Sequence, residues 1–126
     1  LPLVNGNRDE LTQVFQNLIA NAISYGYEKT VVDVMLTEDS TVTSTEPGGV
    51  SVAVVNRGDG IASDEIPRLT ERFYRVDKGR SRSMGGTGLG LAIVKHIVAR
   101  HRGHLEIKSE PMEATTFKVI LPGAKT

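Results

Sequence analysis

Cysteine is absent from the 126 residues, so no disulfide framework staples the chain, and a reducing compartment is permitted. Net charge is absent too. Fifteen basic residues balance fifteen acidic ones, which leaves no bulk field to draw the chain onto nucleic acid or an anionic membrane surface. No apolar run approaches the length of a membrane span, and no secretion signal is visible. Repeats and long low-complexity tracts are missing, so nothing marks an internal boundary. At this length we expect one domain that buries about two thirds of its unfolded surface.

Glycine, by contrast, is concentrated. Four of the six residues from Gly85 to Gly90 are glycine in the run Gly85-Gly86-Thr87-Gly88-Leu89-Gly90-Leu91, and the helical stretch Ala92 to Arg102 follows at once. Such a run lets backbone approach a ligand closely, and a helix start offers unpaired N–H groups to phosphate. A tight turn or hinge uses the same residues, so the run alone leaves both readings open. Its spacing excludes two better-known phosphate loops: the lysine of a Walker A loop is missing, and no strand feeds Gly85 as a dinucleotide fingerprint requires.

Upstream, Asn7 with Glu10 three residues later predicts a helix start, and Leu11, Val14, Phe15, Leu18, Ile19, Ala22 and Ile23 form an apolar stripe of helical period. Asn17 and Asn21 lie off that stripe, one turn apart. Their amide oxygens suit a hard cation that keeps most of its waters, such as Mg²⁺ on a triphosphate, although two asparagines in isolation more often line a solvated face. After a strand-like Val50 to Val55 comes Asn56-Arg57-Gly58-Asp59-Gly60-Ile61. Polar groups at a strand end can read a base by hydrogen bonds, or simply turn the chain. Between Arg75 and Arg82, the cations Arg75, Lys78, Arg80 and Arg82 face one acid, Asp77. A polar segment before a phosphate loop fits a lid whose cations close on a nucleotide, or a solvated loop with incidental charge.

The expected elements are helices Arg8 to Tyr25, Ser63 to Phe73 and Leu89 to Arg102, with strands Val31 to Thr37, Val50 to Asn56, His104 to Ser109 and Thr116 to Leu121. Glu38 to Gly49 should be an exposed hairpin loop, and Leu1 to Val4 an edge strand. This alternation predicts an α/β fold: a two-layer sandwich whose mixed sheet is covered on one face by helices.

In order along the chain, QNLIANAISYG, NRGDGI, ERFYRVD and GGTGLGLAIVKHIV resemble the N, G1, F and G2 boxes of the sensor histidine kinase catalytic domain. That domain shares the Bergerat ATP-binding fold with gyrase, the Hsp90 chaperone and the MutL mismatch-repair protein. The resemblance covers about Asn5 to Pro122, and Ile66 to Lys95 is most similar to the PhoR-type phosphate-regulon sensors. It implies ATP and Mg²⁺ as cofactors. Asn21 matches the metal-coordinating asparagine and Asn17 the polar residue one turn earlier. Tyr25 matches an aromatic near the nucleotide. Asn56, Gly58, Gly60 and Ile61 match the adenine-site loop, and Thr115 or Thr116 the late-strand threonine that closes the adenine pocket. Gly86, Thr87, Gly88, Leu89, Gly90 and Leu91 match the phosphate loop, Arg75, Lys78 and Arg80 the ATP lid, and Phe73 with Tyr74 the F box.

Departures from the pattern are specific. Asn56 stands where the family usually has Asp, keeping an acceptor oxygen but adding an NH₂ and losing the charge. Ser24 replaces a common Lys, and Met112 and Ala114 replace frequent glycines. In the hydrolytic branches a general-base Glu stands four residues before the metal asparagine; Asn17 occupies that place and cannot take a proton. The resemblance therefore implies phosphoryl transfer to a histidine on a separate dimerisation and phosphoacceptor domain, in cis or in trans, and a response regulator served through the full kinase. None of His96, His101 and His104 suits the acceptor role. The implied parent is a homodimer at the bacterial inner membrane with this domain in the cytoplasm. A hydrolytic machine of the gyrase or chaperone branch and a degenerate nucleotide-binding module are the alternatives.

Overall fold

The first helix begins where the capping signal lies. Asn7 keeps an extended backbone while its Oδ1 accepts the Glu10 N–H at 2.9 Å, and α1 then runs Arg8–Tyr25 with the expected bounds. The computed structural model describes residues 4–26, 29–39, 49–71, 90–110 and 112–123. Within them the remaining elements are β1 (Asp33–Asp39), β2 (Gly49–Arg57), a 3-10 turn (Ile66–Arg68), α2 (Gly90–Arg100), β3 (His104–Glu110) and β4 (Ala114–Leu121). No described helix is long and apolar enough to cross a membrane.

The strands form one sheet in the order β1-β2-β4-β3, and every adjacent pair is antiparallel. The mixed sheet expected from the alternation of elements needs a parallel pair, for which β2 and β3, flanking α2, are candidates. They do run in the same direction, but β4 returns between them, so neither touches a parallel neighbour. The two-layer arrangement is as expected. Period-2 alternation sends Val50, Val52 and Val54 of β2 and Phe117, Val119 and Leu121 of β4 inward. Of these, Val54, Phe117, Val119 and Leu121 meet Val14, Leu18 and Ala22 of α1 and Val94, Ile97 and Val98 of α2 in one core.

The apolar stripe of α1 is narrower than its sequence suggests. Ile19 and Ile23 are 36% and 57% exposed, because among the described residues α1 packs mainly on α2 and β2 rather than on edge strand β1. Strand β1 also starts two residues late, since its pairing begins at Asp33 opposite Val55; Val31 lies beyond the ladder, 70% exposed. The expected loop from Glu38 loses its ends to that ladder, which continues through Glu38 opposite Val50 and Asp39 opposite Gly49. Of the segment read as an edge strand at Leu1 to Val4, only Val4 lies among the described residues, in irregular structure.

The helix expected over Ser63 to Phe73 is a short 3-10 turn. Arg68 N–H bonds Glu65 O at 3.0 Å, Leu69 N–H bonds Ile66 O at 3.2 Å and Glu71 N–H bonds Arg68 O at 2.9 Å. Pro67 has no N–H to give an α-helical ladder and disfavours the helical region at the residue before it. Leu69, 4% exposed, anchors the turn in the core.

Helix α2 ends earlier than Arg102. Gly103 N–H bonds Val98 O at 2.9 Å and Arg102 N–H bonds Ala99 O at 3.0 Å, the paired bonds of a Schellman ending. The left-handed residue is Arg102, φ 61°, not the glycine after it. Arg102→Gly is expected to raise stability by about 1 kcal/mol through relief of left-handed strain, visible as a higher midpoint of thermal unfolding. Beside this ending, His101 Nε2 accepts the Asn7 N–H at 3.0 Å, so its proton sits on Nδ1, 2.8 Å from Ile97 O. Both ring nitrogens are engaged. An ion pair of 2.6 Å between Arg100 and Glu10 lies nearby; half-exposed, it contributes at most about 1 kcal/mol.

Candidate functional site

At one end of the sheet, three neighbouring strands break their apolar inward alternation at the same level. Strand β2 points Val50, Val52 and Val54 inward and then Asn56; β4 begins its inward series with Thr115 before Phe117; β3 follows Leu105 and Ile107 with Ser109. The register places Asn56 opposite Thr115 and Thr115 opposite Ser109. Asn56 and Thr115 are 2% and 3% exposed. A buried polar row on an apolar face costs stability unless its groups are satisfied.

Part of the row is satisfied within the chain. Ser109 Oγ accepts the Ile61 N–H at 2.8 Å and lies 3.0 Å from Thr115 Oγ1. Met112 N–H bonds Asp59 O at 3.0 Å, so the loop after β2 is tied to both β3 and the β3–β4 turn. Gly60 takes φ 89° in that loop, a conformation glycine adopts without strain. Met112 takes φ 63° in the turn, in the left-handed region that glycine enters without strain. Asn56 Oδ1, by contrast, is buried with no partner among the described residues.

A second orphan lies on α1. Asn21 Nδ2 is buried and has no partner among the described residues, while one turn earlier Asn17 Nδ2 donates a long bond of 3.5 Å to Gly90 O at the start of α2. The end of α1 is held against the end of β2: a Cβ on Gly26 would stand 2.9 Å from Ala22 O, 3.3 Å from Arg57 O and 3.7 Å from Asn56 Cβ. Polar row, α1 asparagines and the opening of α2 thus surround one region. Its N–H groups at α2 favour anions. A Cβ on Gly90 would meet nothing within 4 Å, so packing among the described residues does not demand glycine there.

The structure sorts the expected site residues. Asn17, Asn21, Asn56, Gly58, Gly60, Ile61, Gly90 and Thr115 come together. Ile61 contributes its N–H, its side chain being 6% exposed in the core, and Leu91 packs against that core. Thr116 does not belong: alternation turns it to the opposite face, beside Lys108 and Lys118. The Tyr25 side chain and residues Phe73, Tyr74, Arg75, Lys78, Arg80, Gly86, Thr87, Gly88 and Leu89 lie outside the described residues. Ser109 was missed. Its signal was present as the one polar inward position of β3, legible only once the strand's facing is known. Among the described residues no cluster of three His, Asp or Glu side chains could hold a metal.

Residues 6–125 match the family model described as histidine kinase-, DNA gyrase B-, and HSP90-like ATPase. The chain belongs to that family. It is 43% identical over 120 residues to the sensor-like histidine kinase SenX3 of Mycolicibacterium smegmatis, covering 94% of this chain and 29% of that protein. It is 42% identical over 114 residues to the phosphate regulon sensor protein PhoR of Pseudomonas aeruginosa, covering 90% and 24%. Among solved structures it is similar to the mycobacterial sensor histidine kinase MprB, with a TM-score of 0.80 at 31% identity over 98% of this chain and 78% of that one. Full-length ShkA in complex with AMPPNP gives a TM-score of 0.79 at 27% identity over 100% of this chain and 24% of that one. The chain therefore spans less than a third of the length of SenX3 or PhoR. Membership in the histidine kinase, gyrase B and HSP90-like family carries ATP binding with it, and the polar row and α1 asparagines lie within the matched residues.

Proposed function

We propose that this chain is the ATP-binding catalytic domain of a two-component sensor histidine kinase. It would pass the γ-phosphoryl group of Mg·ATP to a histidine on a separate dimerisation domain, and through the full-length, homodimeric, membrane-held kinase to a response regulator. The observation that carries this reading is the buried, unpartnered Asn56 Oδ1. Such an acceptor suits a donor that arrives with a ligand, and the exocyclic amine of adenine is such a donor.

The donor chemistry on α1 fits a magnesium nucleotide. The Asn21 amide has a buried polar atom that the protein leaves unused, and turning the amide presents its oxygen or its NH₂ at that place. Magnesium, when bound, neutralises phosphate charge and aligns the transferring group. Asn21 would supply one amide oxygen; the N–H groups at the opening of α2 would meet the phosphates, and Arg75, Lys78 and Arg80 would add charge from the lid. Positioning and charge neutralisation supply most of the catalysis of phosphoryl transfer. A hydrolytic reading is disfavoured by Asn17, whose amide donates to Gly90 O and cannot serve as a base.

Calorimetric titration of ATP with and without Mg²⁺ tests the reading: binding that strengthens with the metal supports it, and no binding in either condition leaves a degenerate module. Base reading has its own test. A carboxylate accepts more strongly than an amide by about 1 kcal/mol where water is excluded, so Asn56→Asp is expected to tighten ATP several-fold without a matching gain for GTP. Parallel changes for both nucleotides, or none, would remove Asn56 from the base site.

A further inference from the structure

An asparagine at the base-reading end poses a question of selectivity that the structure answers with a residue on another strand. The Asn56 amide can turn, offering Oδ1 to an amino group or Nδ2 to a carbonyl. It therefore suits the 6-amino group of adenine and the 6-oxo group of hypoxanthine or guanine alike, where a carboxylate would repel the latter. Discrimination must come from the neighbouring ring position, a bare acceptor nitrogen in adenine and an N–H donor in the 6-oxopurines.

We infer that Ser109 is a positioning residue that supplies this discrimination by fixing Thr115 as a donor. The inference rests on the ATP-binding reading of the site. Ser109 Oγ has one proton and two lone pairs, and one lone pair is committed to the Ile61 N–H at 2.8 Å. Accepting that N–H polarises the Ser109 hydroxyl and makes it the better donor of the pair 3.0 Å apart, so its proton goes to Thr115 Oγ1. Thr115 then keeps its own proton for another acceptor. That acceptor is not Asn56, whose Oδ1 is unpartnered although the two residues face one another in the ladder. Among the described residues Thr115 Oγ1 has no hydrogen-bond partner besides Ser109, and the acceptor inferred is the ligand: Thr115 donates to the bare ring nitrogen of adenine and opposes the N–H of a 6-oxopurine. The same serine holds the loop after β2 through Ile61, so one side chain sets both the wall of the pocket and the direction of its hydroxyl.

The test compares ATP with ITP, which carries the 6-oxo group and ring N–H without guanine's extra amine, by calorimetric titration in Mg²⁺. Ser109→Ala frees the Thr115 hydroxyl to rotate and accept, so the ATP-to-ITP affinity ratio is expected to fall about tenfold. Thr115→Val should lower the ratio similarly, and the double variant should add little further, because the two residues act through one hydroxyl. Loss of ATP and ITP binding in parallel, with the ratio kept, would show that Ser109 only braces the Ile61 loop and would overturn the inference. Additive effects in the double variant would overturn it too. Wild-type protein that binds neither nucleotide would refute the ATP-binding reading itself, a distinct result. Should Ser109→Ala unfold, Ser109→Thr, which keeps the hydroxyl, must retain the wild-type ratio.

Discussion

Asn21→Ala is expected to weaken Mg·ATP by about ten- to a hundredfold while changing metal-free ATP only slightly. The amide stands on the α1 face that carries Asn17, with one polar atom buried and without partner. Its removal leaves no core cavity, since the apolar contacts of α1 are made by Val14, Leu18 and Ala22. The loss should therefore appear in ligand binding rather than stability. Asn21→Asp keeps an oxygen and adds a charge, so it should preserve the metal dependence or shift it. Titrations with and without Mg²⁺ decide between roles: equal losses in both would mean that Asn21 contacts the nucleotide or only shapes the helix.

The largest stability effect is expected at Gly103. A Cβ there would overlap the carbonyl oxygen of Ile120 and stand 2.9 Å from Leu121 Cδ2 and 3.2 Å from Val98 Cγ1. The carbonyl is backbone inside the central β4 ladder, so it cannot rotate away as a long side chain would. Gly103→Ala should therefore cost about 3 kcal/mol and lower the unfolding midpoint by about 10 °C. The contrast with Arg102→Gly is instructive, because two adjacent residues at one helix end respond in opposite directions. Arg102 carries a side chain in the left-handed region, whereas Gly103 lacks one where β4 comes too close. Thermal unfolding of both variants checks the pair, and an unchanged midpoint for Gly103→Ala would show that the α2–β3 connection yields easily.

Much of the site was legible along the chain because its parts are local. Asn7 and Glu10 fixed the start of α1 through a bond three residues long. The one-turn spacing of Asn17 and Asn21 placed them on one helix face whatever the rest of the chain did. Asn56 followed from its place at the end of an apolar strand.

The remaining features depend on contacts between residues far apart in sequence. Thr115 and Thr116 were equivalent until the register with β2 turned one inward and the other out. Ser109 gained meaning only when β3 was set beside β4, which brought its hydroxyl to Thr115 and to the Ile61 N–H, 48 residues earlier. The antiparallel order arose because β4 inserted between two strands that run alike, a choice no local pattern records. Gly103 carried no expectation along the chain, and the approach of β4 is what makes a side chain there costly. Sequence periodicity determined which residues share a face; the packing of those faces decided which of them meet, because hydrogen bonds and close contacts act over a few ångströms of space and not along the chain.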